Sequence, residues 1–157
     1  MNASDPETSD IQVTLHPVDQ SNWRAIARLK VFEPQREFVA EPSSYLALCC
    51  YGQDWQPLAI SLGDQVIGFM MWSTDEADGS CWLGGILIDR DMQRHGYGRQ
   101  AVQAAITMLQ GQHGYRDFAL SYQLANLAAR SLYKQLGFVE TGEWEGDEVV
   151  ARLSLAE

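Results

Sequence analysis

The segment Gly84–Ala101 constrains this chain more than any other. An apolar run, Gly84-Gly85-Ile86-Leu87-Ile88, passes through a short polar turn into Gln93-x-x-Gly96-x-Gly98, and an amphipathic helix follows at once. A strand therefore ends where a helix begins. Glycines at 96 and 98 remove the Cβ atoms that would hold a ligand off the backbone. The first turn of the helix presents unpaired N–H groups and the positive end of its dipole to whatever occupies the loop. That combination suits an anion, above all a pyrophosphate.

The flanking pattern builds the rest of a domain. Ile11–Val18 alternates apolar and polar residues as a strand does, and Asp19–Asn22 supplies helix-start residues for a short amphipathic helix carrying Trp23, Ile26, Ala27, Leu29 and Lys30. Pro34 interrupts it, and Glu33–Glu41 reads as a loop or a second short helix. Pro42–Tyr51 reads as a helix with Ser43 or Ser44 near its start. Three apolar runs follow, Pro57–Leu62, Gln65–Ser73 and Cys81–Ile88, with turn residues between them that predict an antiparallel meander. Ala101, Val102, Ala105, Ile106 and Leu109 recur at helical spacing between Arg94 and Gln112. Asp117–Ser121 is a short strand, Leu127–Leu136 a helix stopped by Gly137, and Phe138–Glu143 and Glu148–Leu155 closing strands. The order β-α-α-β-β-β-α-β-α-β-β implies an α/β domain with a mixed sheet. Residues 11–157 form that single domain, and the acidic, small-residue stretch 1–10 reads as a flexible leader rather than a signal peptide.

Charge and thiols narrow the function classes. A formal net charge of −10, with acid concentrated in 33–41, 75–78 and 140–148, opposes binding to nucleic acid or an anionic membrane and favours a small cationic partner. No apolar run is long enough for a membrane span. Cys49, Cys50 and Cys81 offer neither a disulfide framework nor metal-ligand spacing, and read as reduced, mostly buried thiols of a cytoplasmic protein. His16, His95 and His113 are too scattered for a zinc site, so no metal is expected.

Gly96-x-Gly98-x-x-Ala101 also satisfies the loose dinucleotide fingerprint. That fold, however, places its glycine turn after the first strand, whereas a meander precedes it here. Asp117 lies near the offset of a ribose-binding acid, but at the start of the next strand rather than its far end. A P-loop is excluded because no Gly-Lys-Ser/Thr follows the glycines.

The strand, Gln93-x-x-Gly96-x-Gly98 and the helix after it resemble the GNAT superfamily of N-acetyltransferases. A second block, Asn126-x6-Tyr133-x3-Gly137-Phe138, is similar to that family's later motif. The resemblance extends along nearly the whole chain from residue 11. It implies a mixed, mostly antiparallel seven-stranded sheet flanked by about four helices. It implies acetyl-CoA as co-substrate, its pyrophosphate held by backbone N–H groups across Arg94, His95, Gly96, Tyr97, Gly98 and Arg99. The pantetheine arm would lie along Ile86, Leu87 and Ile88 and accept a hydrogen bond from Asn126. Tyr133 would be the general acid that protonates the departing thiolate.

Plainer readings stand beside these. Asn126 suits a helix N-cap, Tyr133 a core position, Arg94 and Arg99 a solvated helix start, and Gly84-Gly85 either a bulge or simple packing against an aromatic such as Trp82. The implied reaction is direct attack of a neutral amine on the thioester, and an alkylammonium of pKa about 10 must first lose a proton. Glu33, Glu37, Glu41, Asp75, Glu76 and Asp89 are all candidate acceptors, with nothing to choose among them. Within the superfamily the chain looks most like bacterial diamine and spermidine acetyltransferases of the Blt and PaiA type. The acidic 33–41 loop and the ending Gly142-Glu-Trp-Glu-Gly-Asp-Glu148 support this, while Gly84-Gly85 departs from those relatives. An antibiotic amine or a protein N-terminus as acceptor, and a non-catalytic acyl-CoA-binding module, are the alternatives. A homodimer is compatible with the resemblance.

Overall fold

The computed structural model describes residues 12–52 and 54–156. Seven strands and four α-helices alternate as β1 (Thr14–Pro17), α1 (Trp23–Ala27), α2 (Pro42–Tyr51), β2 (Gln56–Leu62), β3 (Gln65–Thr74), β4 (Cys81–Ile88), α3 (Tyr97–His113), β5 (Asp117–Tyr122), α4 (Leu127–Gln135), β6 (Val139–Glu145) and β7 (Glu148–Ser154). Short 3-10 turns occupy Glu33–Glu37 and Arg90–Met92. The strands form one sheet in the order β1-β2-β3-β4-β5-β7-β6, antiparallel at every junction except β4–β5. This is the mixed, mostly antiparallel α/β architecture and element order read from the sequence.

Helices cover both faces of the sheet, α3 and α4 on one and α1 and α2 on the other. On α3, Ala101, Val102, Ala105 and Leu109 are buried at helical spacing, and they pack with Tyr133 of α4 on Leu58, Met70, Leu83, Phe118 and Leu120. On the opposite face Ile26 and Leu29 meet Ala59, Phe69, Met71 and Leu87, with Tyr45 and Leu46 of α2 against them. The largest fully buried side chains, Phe69 and Phe118, anchor the two cores, each burial worth about 1.5–3 kcal/mol.

Several boundaries differ from the sequence reading. Helix α3 starts at Tyr97 rather than Arg94, because Arg94 and Gly96 are left-handed, with φ of 69° and 80°. Helix α2, by contrast, keeps the expected span Pro42–Tyr51, with Ser43 and Ser44 in its first turn behind Pro42. β6 runs to Glu145, past the expected end at Glu143. Of the three free thiols Cys81 is buried and Cys49 half-buried, but Cys50 is exposed, which corrects the expectation of mostly buried cysteines. The proposed leader at 1–10 and Ile11 lie outside the described residues.

Candidate active site

The site begins with an irregularity in β4. Across the β3–β4 ladder Met71 faces Gly84, yet Phe69 faces Leu87, so β4 carries one residue more than β3 over this stretch. Gly85 absorbs it with φ 59°, a conformation that favours glycine. The extra residue reverses the facing of the strand. Leu83 packs on the α3–α4 side, while Leu87 packs with α1, leaving Ile86 and Ile88 turned toward α3 and α4. The glycine pair therefore marks a bulge. Its aromatic neighbours are Trp55, 3.3 Å from a Cβ built on Gly84, and Phe69, 3.2 Å from one on Gly85, rather than Trp82.

Beside the bulge the sheet opens. Parallel β4 and β5 pair only at Cys81–Phe118 and Trp82–Ala119, and then diverge into a fork. A cavity of about 680 Å³ lies on the α3 side of the fork. Ile86, Leu87 and Ile88 form one wall, Arg94, Gly96, Tyr97 and Gly98 one end, and Asn126 and Tyr133 the other wall. These nine of the predicted site residues converge. His95 and Arg99 do not line it. The His95 ring packs beside Tyr97 at 5.5 Å, and Arg99 Nη1 donates to Gln135 Oε1 at 3.4 Å.

The turn at the cavity's end is built by side chains. Asp89 accepts from the Lys30 and Asp91 amides at 3.0 and 3.2 Å. Gln93 Nε2 donates to the Ile88 carbonyl at 3.0 Å, and its amide pairs reciprocally with that of Gln35 at 2.9 Å both ways. The motif's glutamine thus fastens the turn to β4 and to the 33–37 segment. Left-handed backbone at Arg94 and Gly96, on either side of His95, curls the turn into a concavity of a kind that suits an anion. Gly96 gives the helix no side-chain cap, so the first-turn N–H groups of α3 lack a side-chain acceptor. A Cβ on Gly96 would meet nothing within 4 Å, so there is room beside it.

A second cavity, also about 680 Å³, lies on the other side of the fork. Among the described residues Asp54, Asp75, Glu76, Glu145 and Glu148 line it, and no lysine or arginine does. Of the six carboxylates proposed from sequence as proton acceptors, Asp75 and Glu76 line this cavity, and Glu33, Glu37, Glu41 and Asp89 do not. Glu33 and Glu41 pair with Arg36 at 3.4 and 2.7 Å, Asp89 is spent on the turn, and the Glu37 carbonyl accepts from Gln123 Nε2. Within the 33–41 segment Arg36 therefore offsets one of the three carboxylate charges. Glu148, Asp54 and Glu145 were not among the proton acceptors read from the sequence. The signal for Glu148 was its place as the acid that opens the apolar run Val149-Val150-Ala151 just after Gly146-Asp147.

The two cavities share Phe38, Val39, Ile86, Asn126, Ala129 and Tyr133. Asn126 Oδ1 accepts from the Ala129 amide at 3.3 Å, so it caps α4 while lining both spaces. Tyr133 is 7% exposed, its ring 5.6 Å from that of Tyr122 and 6.0 Å from that of Phe138. Burial, reinforced by Tyr122, Glu148 and Tyr45, pushes its phenol well above the usual range. It stays protonated at neutral pH.

A model of the acetyltransferase (GNAT) family matches residues 22–138. The chain belongs to this family. A probable spermine N(1)-acetyltransferase of Bacillus subtilis subsp. natto (strain BEST195) is 24% identical over 150 residues, covering 90% of this chain and 99% of the relative. Among solved structures, spermidine N-acetyltransferase from Vibrio cholerae in complex with CoA and spermine superposes with a TM-score of 0.70 at 19% identity. The match covers 90% of this chain and 94% of that one. AAC(6′)-Ib in complex with ribostamycin and coenzyme A superposes with a TM-score of 0.76 at 15% identity, over 91% and 93% of the two chains. Both structures share the fold with this chain, while the small molecules bound beside CoA in them, spermine and ribostamycin, differ.

Proposed function

We propose that this GNAT protein is a cytoplasmic, acetyl-CoA-dependent N-acetyltransferase whose acceptor is a small cationic amine, a polyamine or diamine such as spermidine. The observation that carries this reading is the junction of two cavities at Tyr133 and Asn126, one ending in an anion-binding turn and the other lined by five carboxylates with no basic residue.

The α3-side cavity fits the co-substrate. Its end, with the left-handed backbone at Arg94 and Gly96 and the uncapped first turn of α3, suits a pyrophosphate. Bound acetyl-CoA supplies the activated acetyl group. Ile86–Ile88 lie along a strand edge left free by the fork, where an extended arm can pair with backbone. The acidic cavity draws in a cation and holds its ammonium groups near the junction. Tyr133, kept protonated by burial, is placed to give its proton to the sulfur that leaves. Attack then depends on orientation rather than on a protein nucleophile.

The decisive assay is thiol release from acetyl-CoA with a panel of spermidine, spermine, putrescine, an aminoglycoside and a short peptide. The expected result is acceleration by the linear polyamines. Acceleration by the aminoglycoside or peptide alone would reassign the acceptor. Binding of acetyl-CoA with no accelerating amine would sink the enzymatic reading.

A further inference from the structure

Resting on that reading of the site, we infer that Glu148 is the group that takes the proton lost by the acceptor amine. The two sides of the fork arrive from opposite faces of the sheet. On β5, Phe118, Leu120 and Tyr122 face α3 and α4 with Tyr133, so Ala119 and Ser121 face away. On β7, Val150 sits opposite Ser121, and Glu148, two residues earlier, shares that face diagonally across from Ser121. The Ser121 hydroxyl donates to Glu148 Oε1 at 2.7 Å. The bond fixes the carboxylate at the acidic cavity and leaves its second oxygen for a ligand. Acid and base thus flank the junction, Tyr133 from the helix face and Glu148 from the other.

Among the described residues Glu148 forms no ion pair, unlike Glu140, which Arg130 holds at 2.8 Å, and Glu143, which Arg152 holds at 2.7 Å. Its charge reaches the Tyr133 and Tyr45 hydroxyls, both of which it helps keep neutral. Other titratable groups surround it. Glu145 of β6 pairs with it across the hairpin, Tyr45 of α2 and Tyr122 of β5 line the same cavity, and Asp54, Asp75 and Glu76 lie around the cavity wall.

The balance of the step gives each of the two residues one proton to handle. An ammonium and a thioester become an amide, a thiol and one free proton. The nitrogen–carbon bond forms as the carbon–sulfur bond breaks with its electron pair on sulfur, and Tyr133 protonates that sulfur. Of the two protons the nitrogen loses, one passes through Glu148 to solvent and the other restores the Tyr133 phenol. At neutral pH an amine of pKa about 10 is almost wholly protonated, so a local acceptor matters most there.

The test uses the full chain and whichever amine the wild type acetylates. Glu148→Gln keeps the shape and the Ser121 partner. It should lower kcat about 100-fold at neutral pH, leave the KM for acetyl-CoA unchanged, and lose part of its deficit as pH approaches that of the free amine. A raised amine KM with wild-type kcat, or a kcat deficit constant with pH, would overturn the role. Ser121→Ala retains the carboxylate but frees it, and should lower kcat several-fold. Wild-type kcat in that variant would also count against the inference. A wild type that acetylates no amine at all refutes the enzymatic reading instead.

Discussion

Tyr133 packs as a core tyrosine, and that packing and its proposed role as the acid make separable demands. Replacing it with phenylalanine keeps the ring contacts with Tyr122 and Phe138. Tyr133→Phe should therefore fold normally and bind acetyl-CoA with unchanged affinity, while thiol release falls about 100-fold. A variant with wild-type turnover would remove Tyr133 from the chemistry. Its titration also has a signature in stability. Burial raises the phenol's pKa in the fold, so the stability that comes with the neutral form is complete below the unfolded value of about 10 and is lost as pH rises through the folded value. Tyr122 is raised in the same direction, by burial and by its hydrogen bond to Glu140. Urea unfolding followed above pH 10 should show stability falling by up to about 1.4 kcal/mol per pH unit for each such group. The fall should be shallower in Tyr133→Phe; equal slopes in the two proteins would contradict it.

At the scale of elements, the bulge in β4 is the piece on which the site depends. Alanine at 85 would have to adopt a left-handed conformation, at about 1–2 kcal/mol, with its Cβ 3.2 Å from Phe69 and 3.3 Å from Met71. Gly85→Ala should therefore lose at least about 1 kcal/mol in urea unfolding. Gly98→Ala should lose nothing, since its Cβ would lie at ordinary contact distances of 3.7 Å from Ile88 and 3.9 Å from Leu132. Equal stability of the two variants would refute the contrast. The meander was legible because its turn residues, such as Gly63-Asp64, act locally, and α3 because its apolar spacing is long and regular. The glycine pair announced an irregularity, but its effect, the reversal that sends Leu83 and Leu87 to opposite faces, depends on pairing with β3. Glu148 stayed hidden for the same reason, because Ser121 becomes its neighbour only when β7 inserts beside β5. The acid at 33–41 misled in the opposite direction: Arg36, inside the same segment, pairs with both Glu33 and Glu41.

Over the whole molecule, the net charge of −10 has a local meaning only where carboxylates line a cavity without basic partners. The sheet has a local weakness as well. Two residue pairs join β4 to β5, so β1–β4 and β5–β7 meet along a very short seam. A ligand strand laid into the fork should slow amide hydrogen exchange at 86–88 and 120–122 more than elsewhere. CoA at 100 times its Kd should also add about 2.7 kcal/mol to unfolding stability. Protection confined to the turn at 94–99 would mean that nothing occupies the fork. Mechanically, the seam is a notch in a plate, with its tip at Trp82 and Ala119. Any loosening of those pairs lengthens the notch, so the spaces on its two sides widen together as a single aperture. A substitution at the tip intended to admit a bulkier amine would also slacken the grip on the other substrate.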